Sequence, residues 1–212
     1  MSQRKPDSIP ARVEVCPLTP ERWRDLEVLF RSAAWPSHCW CMEFRCDGRE
    51  FSRNWGEGNR EALRELAGKR PTGLLAYTDG IAVGWCAVAL KKDSTRFERS
   101  WIARPVEGEE PPEDTWSVVC FFIHRRYRRR GVAKALLAGA VEFAAEHGAP
   151  AIEGYPVRPK DGRYDNRAAF PGTFSLFQGA QFEPVDSAAP TRSNRTIMRR
   201  TLADRSRSRD RG

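Results

Sequence analysis

The chain of 212 residues has no apolar run long enough to cross a membrane. A membrane-spanning helix needs about 20 consecutive apolar residues, and charged residues interrupt every stretch of that length. The first 30 residues mix charge with proline, where an export signal would require an apolar segment. We therefore expect a cytoplasmic protein with no membrane partner.

Lysine is scarce, because only six of the 36 basic residues are lysine and the other thirty are arginine. With 28 acidic residues the formal net charge is +8. A positive chain favours anionic partners, but the sum of charge does not distinguish nucleic acid from a phosphorylated small molecule. Both classes of partner stay open at this point.

The six cysteines do not have the spacing of a usual zinc site. Cys39, Cys41 and Cys46 lie beside His38, but no second pair of ligands follows them, as a zinc knuckle would require. A chain of this length does not need disulfides to stabilise its core. We expect reduced thiols that are structural or line a pocket, and no metal.

Two amphipathic helices are predicted in the first third of the chain. Thr19 and Pro20 are typical of a helix start, and apolar residues recur at helical spacing over residues 19–31. Asn59 is the expected N-cap of a second helix over residues 60–67. An aromatic and cysteine-rich connection, residues 35–55, lies between them.

The pattern then changes to strands. Asp79-Gly80 between two apolar runs predicts a hairpin, and residues 91–114 predict a long surface insertion, either a tolerated loop or a lid. The later predictions are a buried strand at 116–123, a long helix from Gly131 to Gly148, a strand at 151–157, a helix at 173–180, and strands at 182–185 and 196–202. Residues 116–157 thus form a parallel strand-helix-strand crossover. We expect one α/β domain over residues 13–202, a flexible N-terminus at 1–12 and a disordered Arg/Ser tail at 203–212.

A basic turn lies between the buried strand and the long helix, with the sequence IHRRYRRRGVA from Ile123 to Ala133. Backbone N–H groups at a helix N-terminus bind phosphate oxygens, and the helix dipole favours negative charge there. Gly131 and the small Ala133 would let a phosphate approach the backbone. A solvated basic turn and an arginine patch for nucleic acid are the alternatives, whereas the Walker pattern is absent.

The turn resembles the acyl-CoA motif of the GNAT superfamily of N-acetyltransferases. Arg128, Gly131 and Ala133 fit its pattern Q/R-x-x-G-x-G/A, with a strand before it and a helix after it, and Phe182 stands in place of the family's late G-F. The resemblance covers residues 13–202. It implies an α+β fold with a mixed, mostly antiparallel sheet flanked by helices, in which the fourth and fifth strands splay apart.

The resemblance also implies acetyl-CoA as the co-substrate and an amine as the acceptor. Backbone amides of the turn would bind the pyrophosphate, and the strand end around Phe121 to Ile123 would pair with the pantetheine arm. Phe177 aligns with a tyrosine of the family that protonates the leaving thiolate, and we expect it at the cofactor. The residues expected to bind the cofactor are Phe122, Ile123, Arg128, Arg129, Arg130, Gly131, Val132, Ala133 and Phe177.

Candidates for catalysis and for acceptor binding lie in two other segments. Glu153 and Tyr155 share one strand face and either is expected to line the slot for the thioester, although Glu153 as a paired carboxylate is an equal alternative. The acceptor pocket of the family is built by the first helices and their connection. The residues expected to bind the acceptor are His38, Trp40, Cys41 and Met42, with core packing as the alternative reading.

The sequence therefore predicts an N-acetyltransferase that moves an acetyl group from acetyl-CoA to a primary amine of a small molecule or peptide. The attack is direct, in a ternary complex of a monomer or homodimer. One alternative is an acyl-CoA sensor without turnover, which the missing tyrosine at Phe177 suggests. A nucleic-acid-binding protein is the weaker alternative, because exposed aromatics are not interleaved with the arginines.

Overall fold

The structure is a computed structural model that describes residues 12–98, 100, 103–159, 164, 169–186 and 194–202. Within these residues the strands are β1 Glu14–Pro17, β2 Leu74–Thr78, β3 Ile81–Leu90, β4 Trp116–Ile123, β5 Ala151–Gly154, β6 Glu183–Val185 and β7 Ile197–Thr201. The helices are α1 Trp23–Arg31, α2 Pro36–Cys39, α3 Gly48–Arg53, α4 Glu57–Ala67, α5 Thr95–Glu98, α6 Val132–Glu146 and α7 Phe174–Gln178. The ends expected to be mobile, 1–12 and 203–212, lie outside the described residues except for Arg12.

The seven described strands form one sheet in the order β1-β2-β3-β4-β5-β7-β6. Neighbours pair antiparallel except β4 and β5, which pair parallel across the crossover through α6. The predicted mixed, mostly antiparallel sheet with flanking helices is confirmed. None of the helices in the described ranges has the length and apolar character that crossing a membrane requires.

The hairpin between β2 and β3 forms where the sequence predicts it. Asp79 and Gly80 have φ values of 51° and 73°, and a two-residue hairpin turn with both residues in the left-handed region matches the twist of the strands. The turn aligns Thr78 with Ile81.

The two faces of the sheet carry separate cores. On one face α6 buries Val132, Leu136, Leu137 and Ala140. On the other face α1 buries Leu26, Leu29 and Phe30, and the Phe30 ring meets the Trp85 ring edge-on at 5.9 Å. Helix α1 shows the one-sided apolar pattern that drives such packing, whereas α6 is apolar over much of its surface and buries its larger aliphatic side chains.

Two predicted elements differ from the structure. Asn59 is not an N-cap, because α4 begins at Glu57; its buried side chain instead donates to the carbonyls of His38 at 3.2 Å and Phe51 at 3.3 Å. The strand predicted over 151–157 ends at Gly154. Pro156 has no N–H to continue a ladder, and Val157 forms only isolated bridges among the described residues.

Strands β4 and β5 separate after three paired residues. Pairing runs over Trp116, Ser117 and Val118, and a register shift against β3 leaves one extra residue, Val119, before Cys120. A bulge of this kind bends a strand and increases its twist. The second half of β4 therefore diverges from β5, as the splayed strands of the prediction require.

Candidate functional site

A cavity of about 780 Å³ opens where β4 leaves β5. Its walls come from the second half of β4, from α2, from residues 169–176 and from the start of α6. The lining residues are Ala33, Trp35, Pro36, Cys39, Cys41, Cys120, Phe121, Phe122, Ile123, Arg128, Ala133, Ala169, Phe170, Gly172, Thr173 and Leu176.

A second cavity of about 270 Å³ lies at the basic turn. Ile123, Arg128, Ala133 and Leu176 line both cavities, so the two adjoin. The remaining residues around the second cavity are Tyr127, Arg129, Gly131, Val132 and Lys134. A basic pocket thus opens directly into a largely apolar one.

The backbone of the turn presents the N-terminus of α6 to this second cavity. Arg129 and Gly131 have φ values of 61° and 80°, which turn the chain sharply into the 15-residue helix. A Cβ atom on Gly131 would have no atom of the described residues within 4 Å. The N-cap residue Gly131 has no side chain that could accept from the first N–H groups of α6, so an anion at this end of the helix would meet no competing N-cap side chain.

Side-chain contacts hold the turn in this shape. His124 Nδ1 accepts a hydrogen bond from the Arg126 backbone N–H at 3.4 Å, and Arg128 Nε donates to the Ile123 carbonyl at 3.2 Å. The Arg130 guanidinium lies over the Tyr127 ring, 5.9 Å from its centroid. The open space at Gly131, the helix N-terminus and the surrounding arginines fit the phosphates of a nucleotide.

Most residues predicted to bind the cofactor meet at these two cavities. Phe122 lines the large cavity, and Arg129, Gly131 and Val132 line the basic one. Three more of the residues predicted to bind the cofactor line both cavities, and these are Ile123, Arg128 and Ala133. Arg130 lines neither cavity and packs on Tyr127 instead.

Phe177 also lies away from both cavities. Its ring is fully buried and meets Phe121 at 6.2 Å and Phe182 at 5.0 Å, both edge-on. It packs so close to Gly154 that a Cβ atom there would lie 2.0 Å from Phe177 Cε1. From the same helix it is Leu176 that reaches the cavity wall, so cofactor contact by Phe177 stays a prediction that this position does not support.

Glu153 and Tyr155 do share one face, but neither lines either of the two cavities described above. Glu153 is fully buried and accepts hydrogen bonds from Lys91 Nζ at 2.7 Å, Arg199 Nε at 2.9 Å and the Tyr155 hydroxyl at 3.1 Å. Burial, reinforced by the Glu153 carboxylate, raises the pKa of Tyr155 well above its usual value. The paired carboxylate that the sequence left open is the arrangement observed, and a catalytic role for either residue stays a prediction.

The four residues predicted to bind the acceptor separate in the structure. Cys41 lines the large cavity. Trp40 and Met42 are buried in the core, where Trp40 stacks on Trp23 with ring centroids 5.9 Å apart. His38 stacks on Trp55 at 5.4 Å. For Trp40 and Met42 the core packing that was the alternative reading is observed.

Two further thiols line the large cavity, Cys39 and Cys120. Cys39 belongs to the group expected to be structural or to line a pocket, whereas no role was predicted for Cys120. A hydrogen bond to Cys41, together with burial, raises the pKa of Cys39 far above its usual value. A hydrogen bond to Cys120 raises the pKa of Cys41, although Trp85 Nε1 donates to Cys41 Sγ at 3.1 Å. The alternation of Cys120 with Phe122 along β4 is the signal that places Cys120 on the cavity side.

At the strand end expected to pair with the pantetheine arm, one backbone group already has a partner. The Phe121 N–H donates to the Phe170 carbonyl at 2.6 Å, and pairing by Phe122 and Ile123 stays a prediction. Residues 169–173 therefore occupy this position on the open strand edge. Within the described part of the chain, no group of three or more His, Cys, Asp or Glu side chains is arranged to hold a metal ion.

The sequence model of the acetyltransferase (GNAT) family matches residues 22–159. The chain belongs to this family. The match includes the splayed strands and the basic turn, and the GNAT resemblance stated from Arg128, Gly131 and Ala133 is confirmed. No curated protein matches the chain significantly in sequence.

Solved GNAT structures share the fold at low sequence identity. The PaiA N-acetyltransferase of Thermoplasma acidophilum, solved with coenzyme A, is 14% identical, with 90% of this chain and 99% of that chain covered and a TM-score of 0.50. A putative GNAT acetyltransferase of Desulfovibrio desulfuricans is 14% identical, with 91% and 100% covered and a TM-score of 0.53. The ribosomal-protein-S18-alanine N-acetyltransferase of Escherichia coli is 11% identical, with 92% and 97% covered and a TM-score of 0.50. These likenesses establish the GNAT fold.

Proposed function

We propose that the protein transfers an acetyl group from acetyl-CoA to a primary amine of a small molecule or peptide. The observation that carries the proposal is the continuity of the two cavities, because the cavity at the basic turn leads directly into a pocket between β4 and α2. Membership of the GNAT family supports it. The coenzyme A bound to the similar PaiA structure is consistent with the same co-substrate.

In this proposal the basic turn binds the phosphates. Backbone N–H groups at the start of α6 donate to phosphate oxygens, and Arg128 and Arg129 add charge-assisted hydrogen bonds. Gly131 leaves the space that a phosphate would occupy. Phe122 and Ile123 lie along the path from the turn into the large cavity.

Acetyl-CoA, when bound, supplies an activated acetyl thioester. The chain's own contribution is to hold the acceptor in the same cavity as that thioester, which replaces a bimolecular encounter by a positioned attack. Phe122, Phe170 and Leu176 contribute apolar walls that exclude water from the reacting groups. Glu153 is held by two cations away from the cavity, so we assign it to the architecture of the sheet rather than to proton transfer.

The test is product formation with a mixture of amines. The purified protein is incubated with acetyl-CoA and benzylamine, spermidine, 4-methylaniline and a lysine-containing peptide, and acetylated products are identified by mass spectrometry. An acetylated amine that requires the protein supports the proposal. Acetyl-CoA binding without any product would instead favour the acyl-CoA sensor, and salt-dependent binding of a fluorescent oligonucleotide without acetyl-CoA binding would favour the nucleic-acid reading.

We also propose that residues 13–202 form a single acetyltransferase domain, in a cytoplasmic monomer or homodimer. The family match over 22–159 falls within these bounds. Sedimentation of the purified chain separates monomer from dimer.

A further inference from the structure

The α2 end of the large cavity has walls of one indole and three thiols. Trp35, Cys39, Cys41 and Cys120 all line it. The raised pKa values of Cys39 and Cys41 keep these two thiols protonated and uncharged at neutral pH. This part of the cavity therefore offers polarisable, apolar surface of the kind that sulfur and aromatic groups pack against.

Trp35 is exposed but it is held in place. Its side chain is 56% exposed, and its ring meets the Trp55 ring at 5.4 Å and 70°. Trp55 is in turn fixed between His38, stacked at 5.4 Å, and Phe51, edge-on at 5.5 Å. A large aromatic surface at a cavity mouth, fixed by neighbouring rings, is a binding surface for another flat ring.

The scarcity of charged side chains around the cavity favours an acceptor amine of low basicity. Among the lining residues that the structure describes, Arg128 alone is charged, and it lies at the α6 end. Moving an alkylammonium ion from water to the thiol end is unfavourable, because burial without a partner penalises the charged form. An amine must also be neutral to attack the acetyl carbonyl. A weakly basic amine that is already neutral at pH 7 meets both conditions.

We infer that the acceptor is an aromatic primary amine whose ring stacks on Trp35 and packs against Cys39, Cys41 and Cys120. This inference rests on the proposed acetyltransferase function and adds the class of substrate. An arylamine is planar, so it can stack on the indole, and it is apolar, so it can pack against the thiols. It is also neutral at pH 7, so its burial carries no charge penalty. A saturated amine of equal size is neither planar nor neutral at pH 7.

The experiment compares three acceptors of similar size at pH 7.5, which are 4-methylaniline, benzylamine and 4-methylcyclohexylamine. We expect kcat/KM to be highest for 4-methylaniline, by about tenfold over 4-methylcyclohexylamine, since aromatic contacts contribute up to about 1.5 kcal/mol beyond area. Benzylamine separates planarity from basicity, because it has the ring but is protonated. Equal or better transfer to 4-methylcyclohexylamine would overturn the inference.

Variants of Trp35 test the stacking surface itself. Trp35→Ala is expected to raise KM for 4-methylaniline about tenfold with kcat little changed, whereas Trp35→Phe keeps a ring and stays close to wild type. Ile81→Ala removes an equally exposed apolar side chain, 56% exposed, at the start of β3 outside the cavity lining and is the matched control. A Trp35→Ala effect no larger than that of Ile81→Ala would contradict the inference.

Calorimetry with acetyl-CoA distinguishes failure of the inferred acceptor class from failure of the proposed acetyltransferase function. Acetyl-CoA is expected to bind wild type and Trp35→Ala equally, because Trp35 is not among the residues that line the basic cavity at the turn. If acetyl-CoA binds but none of the three amines is acetylated, or the saturated amine is preferred, the acceptor class is wrong. If acetyl-CoA does not bind at all, the proposed function is wrong.

Discussion

The backbone N–H of Phe121 donates a hydrogen bond to the carbonyl oxygen of Phe170 at 2.6 Å. The Phe170 ring stacks on Phe44 at 6.2 Å, and the Arg195 guanidinium lies 5.1 Å from its centroid on the ring face. These contacts fix residues 169–173 against the open edge of β4, where the strand has left β5. One wall of the large cavity therefore depends on the side chain of Phe170.

Hydrogen exchange tests this wall. Phe170→Ala should speed exchange of the Phe121 amide about tenfold, because a backbone hydrogen bond contributes about 1 kcal/mol and its acceptor is no longer held. The His124 amide donates to the Val83 carbonyl at 2.9 Å, on the β3 side, and it should exchange at the wild-type rate. An unchanged Phe121 amide would mean that the loop holds its position without the ring.

Glu153→Gln should lower the free energy of unfolding by about 3 kcal/mol, because it leaves two largely buried cations, Lys91 and Arg199, without their anion. Urea unfolding measures the loss. Glu65→Gln is the matched control, since its partner Lys69 and Glu65 itself are exposed and such a pair contributes less than about 1 kcal/mol.

The same variant tests the catalytic role predicted for Glu153. Acetyl transfer per folded molecule should be close to wild type, because the carboxylate does not reach the cavity. A loss of about a hundredfold or more in a folded variant is the effect of removing a general base. That result would restore the catalytic assignment.

Phe177→Tyr should destabilise the protein by about 2 kcal/mol, the usual effect of overpacking a core. A Cβ atom at Gly154 would lie only 2.5 Å from Phe177 Cζ, so a hydroxyl on that ring position would press against β5. Phe174→Tyr, in a partly buried ring covered by Arg158 at 4.3 Å, is the control and should be tolerated. Increased turnover in a stable Phe177→Tyr protein would mean that the ring points to the cofactor after all.

Stability should fall as the pH rises above about 9. The folded protein raises the pKa of buried thiols from the ordinary value of 9.0, to about 11 for Cys46 and well above it for Cys86, in both cases mainly through burial. Between the unfolded and folded pKa values the unfolded chain loses the proton first, so deprotonation favours unfolding. The stabilisation is complete below pH 9 and is lost as the pH rises through this window.

Urea unfolding at pH 7.5 and pH 9.5 measures the effect, and Cys86→Ala isolates one thiol. The variant should lose less stability than wild type between the two pH values, because it has removed one group that titrates only on unfolding. The same loss in both proteins would show that this thiol does not contribute to the alkaline slope.

Local signals in the sequence predicted the elements that position the site. Asp79-Gly80 marked the hairpin because left-handed turn residues are specific for it. The continuous apolar run at 116–123 predicted β4 with the bounds that are observed. Gly131 predicted the start of α6. These features are determined by residues that are close together in the sequence, so the sequence alone is enough to predict them.

Features that depend on distant contacts were not predictable in the same way. The sequence predicts Asn59 as a helix N-cap, but in the structure its side-chain amide donates to the carbonyls of His38 and Phe51. Glu153 has the spacing of a slot residue, but Lys91 and Arg199 approach it from distant parts of the chain. The alternation of Cys120 with Phe122 places both on one face of β4, but the bulge at Val119 that bends this half of the strand away from β5 has no signature in the sequence.

In the proposed function the basic turn and the N-terminus of α6 bind the phosphates of acetyl-CoA. Calorimetric titration of wild type, Gly131→Glu and Gly80→Glu with acetyl-CoA tests this assignment. Both glycines have positive φ, 80° and 73°, and open space at Cβ, so both variants carry the same backbone strain and charge.

Wild type and Gly80→Glu are expected to bind acetyl-CoA with the same affinity. Gly131→Glu should bind at least about tenfold more weakly, because its carboxylate lies at the phosphate site and juxtaposed like charges are strongly unfavourable. Equal affinity for acetyl-CoA in folded Gly131→Glu, or no binding to wild type, would show that the turn is not the phosphate site.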